Sequence, residues 1–290
     1  MPFPFPGSCP GKTCQPSCET PAHHLRIVCR ARLHFRPRHK PDGAAALAGM
    51  LRTDPQTTRG GSPVPIVEFF LSGVCHQLPQ HCFHYGGRPL PLCARCLGTF
   101  LGVLIALFTL WATGQRRRSR LPTWPVGLVL AGLTGLWAVD GLNSAVELAR
   151  GSYLLYPPQN SLRLITGMGN GLAIGVVLYP ICNSVLWRQA NDRRVLDRPW
   201  QVLALLLAGA AGAAITLIWR TAPFLFWVVM ATLSVAGVLT MVNAVLIVLI
   251  LHKEGLADNW LSVVPYLAIG FLAACGETGT LALVRRALVA

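Results

Sequence analysis

The sequence predicts an all-α, polytopic helical membrane protein with about six transmembrane helices, and three observations predict it. Of its 290 residues 53% are hydrophobic and only 12% are charged, where a soluble domain carries about a quarter. From Cys93 onward six apolar runs follow one another, each close to or above the roughly 20 residues that a helix needs to cross a bilayer. The basic residues fall in the leader and in short loops between those runs, which is a membrane-topology pattern and lacks the aromatic interleaving of a nucleic-acid-binding face. The net charge of +14 therefore makes the lipid bilayer the expected partner and gives no case for nucleic acid.

Residues 1–62 read as a disordered leader. Before Met50 they hold seven Lys and Arg, four Cys and four His among many prolines, with no apolar period of a helix or strand and no apolar core of a signal peptide. Cys9, Cys14, Cys18 and Cys29, with His23 and His24, lack the paired spacing of a zinc knuckle. Translation is expected to begin near Met50, because seven basic residues on an external leader would oppose the charge rule that orients the spans, whereas Arg52 and Arg59 are balanced by Asp54 and Glu68.

Residues 63–92 read as a Cys/His loop preceded by a short helix. The run IVEFFLSGV at 66–74 is too short to span a bilayer and predicts an interfacial or re-entrant helix. Pro79, Pro89, Pro91, Gly86 and Gly87 then predict an irregular loop. The helical transmembrane domain occupies 93–290, with spans expected at 93–114, 124–147, 162–186, 200–220, 223–251 and 260–284. Trp111, Trp124, Trp187, Trp200 and Trp260 sit near their ends, as interfacial aromatics do.

Orientation follows from the loops. Arg116, Arg117, Arg118 and Arg120 in the first, and Arg188, Arg193, Arg194 and Arg198 in the third, predict a cytoplasmic face. The Cys/His loop is then extracytoplasmic, in a protein of the cell (cytoplasmic or inner) membrane. Small residues recur every four positions at Gly98, Gly102 and Ala106, at Gly167, Gly171 and Gly175, and at Ala204, Ala208 and Gly212, which predicts close helix packing. The run GMGNG at 167–171 lacks the Gly-Lys-Ser/Thr ending and preceding strand of a phosphate loop.

Ionisable groups within spans are costly unless paired. Asp140, Asn143, Ser144 and Glu147 recur at helical spacing and share a face of the second span, and Asn160 and Arg163 open the third from the same side. A pair between Arg163 and Asp140 or Glu147 is expected. Glu277 beside Cys275 is a further candidate, while the isolated Cys182 reads as packing.

The stretch from Cys75 to Cys96 concentrates four cysteines and three histidines against the start of the first span. Cys93 and Cys96 form a CxxC at a helix start, where backbone amides and Arg95 are expected to favour thiolate. One chemistry is a four-coordinate metal site, for zinc or for copper or iron, built from Cys93 and Cys96 with two ligands drawn from Cys75, His76, Cys82 and His84. In an extended chain the adjacent Cys75 and His76 would point apart, so one of the two is expected to ligate. Thiol–disulfide exchange at the CxxC is the second chemistry, and a loop stapled by structural disulfides is the third. Covalent c-type haem is disfavoured, because Leu97 rather than His follows Cys96.

At these residues the chain resembles the DUF2085 family of bacterial and archaeal membrane proteins, a family without an established function. The resemblance is carried by Cys75-His76-Gln77, by PLCARC at 91–96 followed by Gly98 and Gly102, by Asp140-Gly141-Leu142-Asn143-Ser144, by Asn160-Ser161-Leu162-Arg163-Leu164 with Gly167, and by Pro180 and Asn183. It implies a multi-pass membrane protein in which the cysteines, Asp140, Asn143 and Arg163 belong together. Cys82 and His84 fall outside that pattern, and the resemblance supplies no reaction.

Overall fold

A computed structural model describes residues 64–219, 221–255 and 257–289. The leader, with its four cysteines and Met50, lies outside these residues. Among them the elements run α1 (Pro65–Ser72), β1 (Cys82–Tyr85), β2 (Arg88–Cys93), α2 (Ala94–Ala112), β3 (Arg118–Arg120), α3 (Trp124–Arg150), α4 (Asn160–Leu186), β4 (Asn191–Arg194), α5 (Pro199–Ile218), α6 (Phe224–Ile250) and α7 (Trp260–Val289). The helices α2 to α7 are the six that are long and apolar enough to cross a membrane.

Helix α4 is the hub. It is buried over 67% of its most apolar stretch, against 11% for α3, whose apolar side chains point outward as a bilayer-facing helix requires. The closest seam joins α2 to α4 and is made of backbone. A methyl group added at Gly98 would lie 2.3 Å from the Leu164 carbonyl oxygen, and one at Gly102 would lie 2.5 Å from that of Met168. From the other side, one at Gly167 would meet the Arg95 carbonyl oxygen at 2.3 Å and one at Gly171 that of Thr99 at 2.1 Å. The four-residue glycine repeats of the two helices thus face each other. Gly167, Met168, Gly169, Asn170 and Gly171 are all buried in α4, away from any loop.

The two arginine-rich loops are joined by a short parallel ladder, with Arg118 opposite Asn191 and Arg120 opposite Arg194. Arg118 pairs with Asp197 at 2.6 Å, which holds that carboxyl below its usual range, and Arg120 pairs with Asp192. Beneath them Gln115 is fully buried and accepts from the Leu196 amide at 2.7 Å, while Asn183 donates to the Arg118 carbonyl at 2.9 Å. At the opposite end of the bundle lie α1, the β1–β2 hairpin, the start of α2 and the last turns of α7.

That hairpin corrects the expectation of an irregular loop. Gly86 and Gly87 both take positive φ, 58° and 76°, the two-residue turn geometry that matches strand twist. CFHY and RPLPLC can therefore pair, with Cys82 opposite Cys93 and Tyr85 opposite Arg88. The two prolines remain acceptable because each strand of a two-stranded ladder is an edge.

Candidate metal centre

The hairpin delivers Cys93 to the N-cap of α2, where its sulfur accepts from the Cys96 amide at 3.4 Å. Cys75 and His76 arrive from the other side, on the turn that follows α1. The turn is tight: the amides of Val74 and Cys75 both donate to the Leu71 carbonyl, at 3.2 and 3.1 Å, and Gln77 takes a positive φ of 51°. The backbone here is coiled and not extended, and although Cys75 is buried and His76 exposed, the two side chains are not held apart. That corrects the premise that the two adjacent side chains point apart. One ligand atom from each of Cys75, His76 and Cys93 lies within 4.8 Å of the others.

The surroundings tune these groups. The Cys93 amide donates to the Cys75 sulfur at 3.2 Å. Hydrogen bonds from the Cys75 and Cys96 thiols hold the Cys93 thiol well below its ordinary value. The same contact with Cys93, aided by burial, pushes Cys75 up to about 12. His76 and His81 form a ring-nitrogen hydrogen bond, Nε2 to Nδ1, at 3.2 Å. Burial lowers both, His81 to about 4 with help from the Arg163 charge, so both rings are neutral at pH 7.

Cys82 and His84 stand outside the cluster. The Cys82 thiol donates to the Leu78 carbonyl at 3.2 Å, and burial raises it further into the protonated form. His84 is exposed on β1. All six described cysteines are free thiols. His81 was absent from the ligands drawn from the sequence, although the same short stretch contains it.

Gln77 and Asn160 tie the loop down. Gln77 donates through Nε2 to the carbonyls of Glu68 and Pro91, at 3.0 and 2.9 Å, and Asn160 donates to those of Gln80 and Cys82, at 3.1 and 3.2 Å. Asn160 Oδ1 accepts from Arg163 Nη1 at 3.0 Å, which links the loop to the polar face of α3 and α4.

On that face the expected pairing of Arg163 is met by Glu147, and the departure is Arg95. Arg95 turns away from the thiols and pairs with Asp140, also donating to the Asp140 carbonyl at 3.1 Å and Ser144 Oγ at 2.9 Å. Asp140 accepts in addition from Tyr156 Oη at 3.0 Å and Thr166 Oγ1 at 3.4 Å. Arg163 reaches Glu147 at 3.7 Å and Ser144 at 3.4 Å but not Asp140. Asn143 caps the following loop, accepting from the amides of Leu154 and Leu155 at 3.0 and 2.8 Å and donating to the Tyr156 carbonyl at 2.8 Å. Asp140, Asn143, Ser144 and Arg163 are all buried.

One further residue was invisible in the sequence. Arg285, near the end of α7, donates to the carbonyls of Ser72, Cys75 and His76, at 3.1, 2.6 and 2.6 Å. Elsewhere on α6 and α7, Glu277 accepts from Asn243 at 3.2 Å.

A six-span helical bundle with a thiol and imidazole cluster at one end defines a class: a multi-pass membrane protein. Within it, residues 75–177 match the model of a family described as predicted membrane protein, DUF2085. The match opens on Cys75 and takes in the hairpin, α2, α3 and most of α4, including the Arg95–Asp140 pair. An uncharacterised protein of Methanocaldococcus jannaschii is 29% identical over 117 residues, covering 40% of this chain and 68% of its own. No solved structure matches.

Proposed function

We propose that this membrane protein binds one zinc ion through Cys75, His76 and Cys93, with Cys96 as the fourth ligand. The observation that carries the reading is the convergence within 4.8 Å of three ligand atoms from two backbone segments, the turn after α1 and the start of α2, about the span of two bonds of ~2.3 Å to one ion. Thiolate and imidazole are the donors that zinc favours, and copper or iron are the other metals such a set admits. Cys96 lies outside the three converging atoms, but its thiol interacts with both Cys75 and Cys93, which supports it as the fourth ligand. The neutral His76 ring, with Nε2 engaged by His81, keeps Nδ1 for the ion, a partnered second nitrogen being the usual support of a ligating histidine. With four protein ligands the ion acts as a structural cross-link between α1, the hairpin and α2.

Thiol exchange is the second reading, favoured by the low-lying Cys93 thiol between two other sulfurs. Elemental analysis with thiol counting on the detergent-purified full chain separates the two. The expected result is about one zinc per chain, lost in Cys75→Ser and Cys93→Ser and kept in Cys82→Ser. A metal-free parent whose Cys93 traps a mixed disulfide would replace zinc binding with exchange.

The arginine-rich loops support a cytoplasmic assignment for their face in the cell membrane and an extracytoplasmic one for the cluster. In whole cells, a membrane-impermeant maleimide is expected to label Cys93 after reduction and chelation, and to spare an Arg117→Cys variant at position 117. The reverse pattern inverts the topology.

A further inference from the structure

We infer that Arg285 is a positioning residue for the zinc site, and that binding at the site is coupled to the docking of α7 against α1. This rests on the zinc reading above. The turn that carries Cys75 and His76 lies outside every helix and ladder, and two of the three converging ligand atoms depend on its shape. Arg285 holds it from a distance of 210 residues in sequence, through two nitrogens of one guanidinium on three carbonyls, two of which belong to the ligand residues themselves. Hydrogen bonds from an ionised donor are about twice as strong as neutral ones. The planar fork reaches separate carbonyls from two nitrogens in a fixed geometry, whereas the three donors of a lysine ammonium all radiate from one nitrogen.

The rest of the α1–α7 contact fixes where that fork sits. A methyl group at Gly73 would lie 2.2 Å from the Thr278 carbonyl oxygen, so the turn rests directly on α7 backbone. Gly279 faces the Phe70 ring, whose edge would be 3.4 Å from an added methyl, and Arg286 stacks 4.6 Å above Phe69. With the carbonyls of Cys75 and His76 pinned, their side chains start from fixed origins, and the ion meets a prepared geometry. Linkage makes the effect reciprocal: if α7 docking favours zinc, zinc favours α7 docking by the same factor.

The test uses the full chain in detergent, with zinc affinity from chelator competition and hydrogen exchange of the peptide covering 276–289 with and without zinc. Arg285→Gln is expected to weaken zinc by about 10 to 100-fold, the usual effect of losing a group that supports ligands. It should also abolish the zinc-dependent protection of that peptide. Arg285→Lys should fall between parent and Arg285→Gln, and Arg193→Gln, an exposed arginine on β4 at the opposite end of the bundle, should match the parent. Gly73→Ala, which displaces the turn without touching the fork, should also weaken zinc, and it decides the matter if Arg285→Gln does not fold. A parent that binds zinc, with Arg285→Gln and Gly73→Ala giving the same affinity and protection, overturns the coupling alone. A parent that binds no zinc overturns the zinc reading and the coupling with it.

Discussion

Gly171→Leu is expected to yield no monodisperse protein in mild detergent, while Gly132→Leu behaves like the parent. At Gly171 even the first carbon of a side chain would lie 2.1 Å from the Thr99 carbonyl oxygen and 2.9 Å from the Gly102 Cα. Overpacking a core ordinarily costs about 1–3 kcal/mol because side chains can move aside. Here the obstacles are backbone atoms of α2, so the whole α2–α4 seam must open, and with it the contact that brings Arg95 onto α4. Gly132 on α3 has nothing within 4 Å of an added methyl, which makes it the matched control for inserting leucine into a span. Size-exclusion chromatography compares the three proteins. A monodisperse Gly171→Leu would mean that the seam is looser than its glycines require.

Asp140→Ala is expected to destabilise the bundle by about 3–5 kcal/mol, the cost of leaving a buried charge without its partner. Its carboxylate is wholly buried and its partner Arg95 is 19% exposed, so solvent offers the guanidinium little compensation. Tyr156 and Thr166 lose an acceptor at the same time. Asp140→Asn keeps an oxygen acceptor in nearly the same shape and should cost less. Replacing both partners, Arg95→Leu with Asp140→Leu, should be milder than either single change, since no orphaned charge remains. Unfolding in denaturant-doped detergent provides the comparison. Equal and additive effects of the two singles would make the pair energetically idle.

How far the sequence could be read depends on the range of the interaction. Each span depends on its own length and apolarity, so all six were readable, and so was the polar face of α3 at Asp140, Asn143 and Ser144, which follows from helical period alone. The glycine repeats were readable as packing marks, but that α2 and α4 face each other depends on tertiary arrangement. Rotational phase hid the partner of Asp140: both Arg95 and Arg163 sit near it in the membrane, and only the packing of α2 against α4 turns Arg95 toward it. The hairpin was within reach, since Gly86-Gly87 between two short β-prone runs is a turn signal that the prolines nearby obscured. The nearness of the Cys75 and His76 ligand atoms was hidden because an extended chain was assumed where α1 ends in a coil. Arg285 carries no local sign of its role.

The clamp of Arg285 on the Cys75 turn also has a consequence for biosynthesis. The two are 210 residues apart, so at a synthesis rate of ~5–20 residues per second the guanidinium is made roughly 10–40 s after the thiol it supports. During that interval Cys75 and Cys93 have been made and their loop still lacks its last brace. A nascent chain in this state lacks the three hydrogen bonds that hold the turn, and docking of the final helix is the step that supplies them. Chains truncated before residue 285 should therefore show faster hydrogen exchange in the Cys75 turn than the full chain, even when their first spans insert correctly.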